Sequence, residues 1–562
     1  MKKAISIGIQ GFSALREQDC FFVDKTNFIK EWWENRDVVT LITRPRRFGK
    51  TLNMSMLECF FSNKYVNRAD LFEGLSIWQE EAYRKLQGSY PVIFLSFAAV
   101  KAGNLEDAKT QIKQEIARLY RENRNLMKED IFGEDERELY YQTTVKMDDV
   151  TAQDSLRNLS EWMERYYGKK VIILLDEYDT PMQEAYVQGY WDEFTAFVRS
   201  LFNASFKTNP YLERAIMTGI TRVSKESIFS DLNNLQVITT TSDLYADCFG
   251  FTESEVFHVL DEFGMGDKKD EVKQWYDGFT FGEHKDIYNP WSITNYLDKR
   301  KTYPYWASTS SNGLVSRLIR TASADVKEKM EDLLNGREIV VSFDEQIVYN
   351  QLDHNENAIW SLLLASGYLK VKHVDYRGIT REPWYTLDIT NIETLSMFTT
   401  MFQDWFQNQD ANYGYFMKAL INGDLEAMNY YMNKVALATF SYFDVGSGNG
   451  SDPEPERFYH GFVLGLIAER AGIYEIRSNR ESGFGRYDIM MIPQEREKYP
   501  AIIIEFKVCS RMKKETLEEA VQSALDQIVD KNYDAELLSQ GIAADMIRHY
   551  GFAFEGKRVL IG

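Results

Sequence analysis

The chain has 562 residues, more than one hydrophobic core can serve, since single cores stop growing at about 250–300 residues. With 44% hydrophobic and 27% charged residues and only 11 prolines, the composition excludes long disorder. A formal net charge of −20 excludes a general polyanion binder, so a nucleic-acid contact has to come from a local basic patch.

Residues 37–43, DVVTLIT, predict a short buried strand. The basic loop RPRRFGKT follows, and then Leu52, Met56, Leu57, Phe60 and Phe61 recur at helical spacing. PVIFLSFA (91–98) predicts a second strand, with helical stretches near 104–127 and 152–167. KKVIILLDEYDTP predicts a third strand that ends in acids. RAIMTGITR and LQVITTTSD predict a fourth and a fifth. Apolar strands alternating with helices predict an α/β domain with a mostly parallel sheet, whose ligands sit at the carboxyl ends of the strands.

From about 250 to 340 the pattern is helical and rich in aromatic residues. Trp275, Tyr276, Phe279, Phe281, Tyr288 and Trp291 crowd one span. Such residues stack on bases or pack a core between small helices, and packing is the favoured reading. Residues 341–400 predict a helix followed by two short strands, a winged-helix-like unit. Lys370, Lys372, His373, Arg377 and Arg381 make it mildly basic. Residues 400–445 read as helical, and VGSGNGSDPEPE is the best linker. A compact α/β unit ends the chain. Between Gly446 and Gly562 there are 15 Lys and Arg against 19 Asp and Glu, so this end is no more basic than the rest. The expected boundaries are 1–249, 250–340, 341–445 and 446–562.

A phosphate-binding loop of the Walker A kind needs Gly-x4-Gly-Lys-Ser/Thr between a strand and a helix. Gly49, Lys50 and Thr51 meet that need, with Arg46 and Arg47 beside them as further phosphate contacts. Arg44 stands where the first glycine is expected, which puts the loop geometry in question. The third strand ends in Asp176, of the kind that holds Mg2+ with Thr51, and Glu177, of the kind that orients an attacking water. Asp179 joins that acidic cluster at lower rank. Thr218, Thr221 and Arg222 end the fourth strand, within reach of a terminal phosphate.

Taken with FFVDKT, TGITRVSKESIFSDLNN, FGFTESEV, YDGFTFG and YNPWSI, these motifs resemble the AAA-ATPase-like bacterial proteins that carry a C-terminal PD-(D/E)XK nuclease-like domain. The resemblance spans nearly the whole chain and includes the RPRRFGK loop. It implies a P-loop NTPase of the AAA type with a parallel sheet, a helical and winged-helix-like middle and a restriction-endonuclease-like α/β end. ATP and Mg2+ are the implied ligands. Sites of the AAA type often borrow an arginine from a neighbouring subunit, so a homo-oligomer is a further expectation.

Nucleases of that kind place one acid on a strand and an acid-x-lysine triplet on its neighbour, and residues two apart on a strand share a face. Asp488 in GRYDIMMIP, with Glu505 and Lys507 in AIIIEFKV, fit the pattern. The carboxylates would take Mg2+, or Mn2+ as an alternative. The helix PERFYHGFVLGLIAER offers Glu456 as an additional metal ligand, with His460 one turn later. ALDQIVDKNY predicts a helix that carries Gln527 and Tyr533, which resemble the Gln-and-Tyr element of some RecB-type nucleases. Asp488, Glu505, Lys507 and Gln527 are the expected nuclease residues, and DNA or RNA the expected partner.

Cys20, Cys59, Cys248 and Cys509 form no CxxC pair, no stretch has signal-peptide character, and no run of about 20 apolar residues predicts a membrane span. A reduced, cytoplasmic protein is the expectation. The leading functional expectation is an ATPase that controls a metal-dependent nuclease in nucleic-acid processing or defence. The alternative is a signalling or scaffold ATPase whose nuclease fold only binds.

Overall fold

In the computed structural model, five buried apolar runs pair into one parallel sheet. They are β1 (Val39–Thr43), β2 (Val92–Ser96), β3 (Val171–Asp176), β4 (Leu212–Gly219) and β5 (Leu235–Ile238). Their order across the sheet is β2-β3-β4-β1-β5, every pair parallel. Every side chain of β1 and β3 is buried, as a sheet covered on both faces requires. The structure describes residues 3–562 except 129–130, 223–227, 230–231, 308–312, 335, 346–348, 350–351, 353–354, 356, 408–411, 440–462, 464–472, 483–484, 510–514 and 556–557.

The chain divides into two compact units, Met1–Val315 with Val340–Thr394, and Ser316–Ile339 with Leu395–Gly562. In the first, the helices Asn27–Asn35 and Lys50–Phe61 bury Phe28, Trp32, Met54, Leu57 and Phe60 against Ile42, Ile172, Leu174 and Ile216 of the sheet. The helices Leu105–Glu122, Asp149–Tyr167 and Trp191–Phe202 pack among themselves, and the first two also touch β2 and β3. Asn104 and Asp148 cap two of them by accepting from the N–H three residues on.

The segment expected to be helical also holds a small sheet. Phe251–Thr252 (β6), Phe279–Phe281 (β7) and His284–Tyr288 (β8) pair in the order β6-β8-β7, with Gly282 at φ 57 in the turn. Two of these strands are too short to show an alternating pattern. The crowded aromatic residues are mainly a core: Tyr276, Tyr288 and Tyr296 are buried together, and Phe279 and Phe281 are buried as well.

The winged-helix-like reading meets Ile339–Val341 (β9), the helix Ala358–Ala365, Leu369–Arg377 (β10) and Glu382–Ile389 (β11), with sheet order β10-β11-β9. Glu393 follows, fully buried. It accepts 2.7 Å hydrogen bonds from Ser292 Oγ and from the N–H of Trp306, and burial raises its carboxyl to about 7.

In the second unit Tyr474–Ser482 (β12), Gly485–Pro493 (β13), Ala501–Val508 (β14), Ile547–Glu555 (β15) and Arg558–Ile561 (β16) pair in chain order. Only β14 and β15 run parallel, joined through the helix Leu517–Asp530. The helices Asn412–Asn422 and Leu425–Thr439 bury Phe416, Leu420, Met428 and Met432 against Ile489, Ile502, Ile504 and Phe552 of this sheet. They therefore pack with the C-terminal sheet, which supplies the apolar face their own apolar residues need. The expected linker lies outside the described residues. The four cysteines are buried free thiols.

Candidate functional site

Gly49 caps the helix Lys50–Phe61 in the left-handed region at φ 80, and Arg47 takes φ 66. Arg44 is not among the left-handed residues, so its position needs no glycine. Its side chain turns inward and is completely buried. It donates to the carbonyls of Thr43 (3.0 Å) and Thr239 (2.7 Å), and its guanidinium lies 4.4 Å from the Phe281 ring. Burial pushes it down to about 9, so it stays charged at neutral pH. Arg44 thus ties the loop to the segment after β5.

Lys50 is buried, and Nζ donates to the carbonyls of Arg44 (2.9 Å) and Pro45 (2.8 Å). Burial lowers its pKa, opposed by the nearby charges of Glu177, Asp179 and Asp176. Thr51 Oγ1 donates to Asp176 Oδ2 at 2.7 Å, and Thr218 Oγ1 to Asp176 Oδ1 at 2.6 Å. Asp176 is buried with neutral hydroxyls on both oxygens, and desolvation raises its carboxyl. A buried carboxylate beside a threonine hydroxyl is a hard-oxygen donor set that fits Mg2+.

Glu177 takes the left-handed φ of 52, rare for a non-glycine residue, and its Oε2 accepts from Thr180 Oγ1 at 3.1 Å. Asp179 does other work. Its Oδ2 accepts from the N–H groups of Ile220 and Thr221 and from Thr221 Oγ1, fixing the turn after β4. Gly219 is required in that turn, since a Cβ there would lie 2.6 Å from Asp179 Oδ1.

Part of this set borders a cleft of about 480 Å3, within the range of small-ligand sites, whereas Asp176, Asp179, Thr218 and Thr221 are not in its lining. Arg46, Arg47, Gly49, Lys50, Thr51 and Glu177 line it. Arg222 is half-buried and does not. Sequence reasoning missed two walls. One is the N-terminal stretch Ser6–Gln10, which carries no recognisable spacing. The other is the start of the helix Pro290–Lys299, signalled only by its Asn-Pro start. There Arg47 stacks on Trp291 at 4.4 Å, and Asn289 Nδ2 donates to the carbonyl of Arg46. Phe48 is buried against Phe279 and Phe281, with ring centroids 4.8 and 5.5 Å away. Part of the aromatic span therefore clamps the phosphate loop.

The second set lies on β13, β14 and the helix Leu517–Asp530. Asp488 is one step beyond the cross-strand pair Ile489–Ile504, which places it opposite Glu505. Its Oδ2 accepts from the N–H of Phe506 at 2.7 Å. Glu505 is 2% exposed. Lys507 Nζ lies 3.7 Å from Glu505 Oε1. Gln527 bridges the two: Oε1 accepts from Lys507 Nζ at 2.7 Å, while Nε2 donates to Glu505 Oε1 and to the hydroxyl of Tyr533 (3.2 Å). Gly551, paired with Glu505 across β14 and β15, lets the helix approach. A Cβ there would come within 2.7 Å of the Val521 carbonyl. Tyr533 sits past the helix end rather than on it. Glu456 and His460 lie outside the described residues. The carboxylates of Asp488 and Glu505 on adjacent strands are again hard oxygen donors, of the kind Mg2+ and Mn2+ take.

Among the described residues, Glu253, Asp277 and Asp286 also bring ligand atoms within 4.8 Å of one another, although Lys273 is paired with Glu253. They belong to neither set. No helix among the described residues is long and apolar enough to cross a membrane.

Comparison with known proteins agrees with this division. Residues 6–229 match the family described as "Predicted AAA-ATPase". Residues 454–562 match the PD-(D/E)XK nuclease superfamily. A protein of Azotobacter chroococcum mcd 1, described as "Uncharacterized protein in vnfD 5'region", is 28% identical over 399 residues, covering 70% of this chain and 68% of the relative. The chain thus carries a region that matches a predicted AAA-ATPase domain and a C-terminal region that matches the PD-(D/E)XK nuclease superfamily.

Proposed function

We propose that the protein hydrolyses ATP in the N-terminal cleft and uses that cycle to control metal-dependent cleavage of nucleic acid at its C-terminal site. The observation that carries the reading is the Lys50, Thr51 and Asp176 cluster at the phosphate loop, matched by the Glu505, Gln527 and Lys507 bridge beside Asp488.

In the cleft, the N–H groups at the start of the helix Lys50–Phe61 and the Lys50 ammonium hold the β- and γ-phosphates. Thr51 and Asp176 would hold Mg2+, which supplies charge neutralisation of the phosphates when bound. Glu177 orients the attacking water and accepts its proton. Thr218 keeps Asp176 in place, and Arg46 and Arg47 add positive charge at the rim. Arg222 is assigned to the terminal phosphate on its position after β4 alone.

At the C-terminal site Asp488 and Glu505 would hold Mg2+ or Mn2+, which supplies Lewis-acid polarisation of the scissile phosphate. Lys507 orients the water, and Gln527 keeps Lys507 and Glu505 in register. Glu456 is retained as an additional ligand from sequence. The setting is the cytoplasm, and a homo-oligomer would let a neighbouring subunit supply an arginine.

The test is cleavage of labelled single- and double-stranded DNA and RNA in Mg2+ or Mn2+, with and without ATP. Cleavage that is lost in Asp488→Ala and changes with ATP only when Lys50 is intact supports the reading. Absence of cleavage in every condition, with ATP turnover retained, replaces it with a signalling or scaffold ATPase.

A further inference from the structure

The winged-helix-like segment has two faces that could meet a nucleic acid, and only one is available. In helix-turn-helix readers, a helix enters the major groove. Here Ala358–Ala365 is spent on the core, with Ile359, Trp360, Leu362, Leu363 and Leu364 all buried. Base reading through this helix is excluded. The hairpin of β10 and β11 is the reverse case, because its tip is exposed.

That tip is built in a way folding does not require. Arg377 pairs with Glu382 across the strands, and the N–H of Arg381 donates to the carbonyl of Gly378, closing a turn around Ile379 and Thr380. Turn centres favour Gly, Asn, Asp and Ser. This one carries a fully exposed β-branched isoleucine, with Tyr376, 61% exposed, close by. Ile379 contributes no burial to stability. Arg377 lies 4.5 Å from the Trp384 ring, and Arg381 lies 5.3 Å from the Tyr376 ring. Aromatic planes thus hold both guanidinium groups on the hairpin. Lys372 adds a third exposed cation.

Asp375 and Glu382 lie among Lys372, Arg377 and Arg381, so the tip carries three cations against two acids. Asp375 accepts from His373 at 3.0 Å and lies 3.9 Å from Arg377, and Glu382 accepts from Ser342 Oγ at 2.7 Å. Arg381 has no ion pair among the described residues. On a chain of net charge −20, this is a local basic tip with an apolar wedge at its apex.

We propose that the β10–β11 tip binds double-stranded DNA, with Arg377, Arg381 and Lys372 on phosphates and Ile379 entering the minor groove. Apolar wedges flanked by arginine suit that groove, whereas the minor groove of duplex RNA is wide and shallow. With few cations and no reading helix, binding is weak, salt-dependent and indifferent to sequence. It would hold the substrate for the cleavage proposed above, and it rests on that reading only for the identity of the substrate.

The test uses the full chain carrying Asp488→Ala, so that DNA stays intact, and fluorescence anisotropy of a labelled duplex over a range of salt. The Arg377→Glu/Arg381→Glu double variant should weaken binding at least tenfold and reduce the salt slope by about 2, near one for each phosphate that is no longer neutralised. Ile379→Ser, a change at a fully exposed site, should weaken binding without altering the melting temperature. Duplex RNA, and phosphatidylcholine vesicles with one fifth phosphatidylserine, serve as competitors. Unchanged DNA binding in both variants overturns the inference, as does preference for RNA or vesicles. Tip-dependent binding without cleavage by the unmutated chain would sink the nuclease reading alone. Cleavage with tip-independent binding would sink this inference alone.

Discussion

Thr51 Oγ1 donates to Asp176 Oδ2 at 2.7 Å, joining the first turn of the helix after the phosphate loop to the end of β3. The bond spans 125 positions of sequence and brings together two groups that neither segment can supply alone. Asp176→Asn keeps the shape and removes the charge. It should lower steady-state phosphate release by about 100-fold or more, on the scale of losing one electrostatic stabiliser of a transition state. Circular dichroism should stay unchanged. Turnover within a few-fold of the unmutated protein would remove Asp176 from the site.

Arg44→Gly would restore the residue usually found at that point of the loop. The structure predicts harm. The carbonyls of Thr43 and Thr239 would lose their donor, at a cost of about 1–3 kcal/mol for unsatisfied buried groups. The melting temperature should drop and ATP affinity should not improve. A rise in both would show that Arg44 is a defect rather than a tie.

Gln527→Leu should leave the C-terminal sheet folded while cutting the bridge between Lys507 and Glu505. Cleavage should fall by about 10–100-fold, the usual effect of removing a group that orients a ligand. Gln527→Glu keeps the acceptor facing Lys507 but places a carboxylate against Glu505, and should not restore it. Cleavage equal to the unmutated protein in both variants would make Gln527 a surface residue of the helix.

Glu393 gives a pH dependence with a definite sign. Its folded carboxyl titrates near 7, against 4.5 for the free group, so the folded state binds the proton more tightly. Stability contributed here is greatest below about 4.5, declines as pH rises, and levels off above about 7, with an amplitude on the order of 3 kcal/mol. Unfolding midpoints of Glu393→Gln, followed from pH 5 to pH 8, should change less with pH than those of the unmutated protein. Parallel profiles would remove Glu393 as the source.

What could be read beforehand follows from how local each signal is. The strands of the parallel sheet are unbroken apolar runs, so their ends, with Lys50, Thr51, Asp176 and Glu177, were legible. Glu505 and Lys507 share a face through a two-residue period. The tie made by Arg44 was not legible, because spacing says where a side chain starts and not where it turns. Nor was the clamp on Phe48, whose partners lie more than 230 positions away. Strands as short as β7 carry no period to detect. The helices Asn412–Asn422 and Leu425–Thr439 were legible as helices, but their apolar faces do not name the sheet they cover.

Phe48 and Arg44 are covered by Phe279 and Phe281, and the cleft is finished by residues as late as Thr294. On a ribosome, β5 therefore emerges well before the cover for its neighbour β1 exists. At about 5–20 residues per second, the stretch from 239 to 281 takes on the order of 2–9 s to synthesise. Through that interval the nascent domain presents an uncovered phenylalanine and an unstacked arginine at its phosphate loop. A chaperone that recognises exposed aromatic groups has several seconds in which to act.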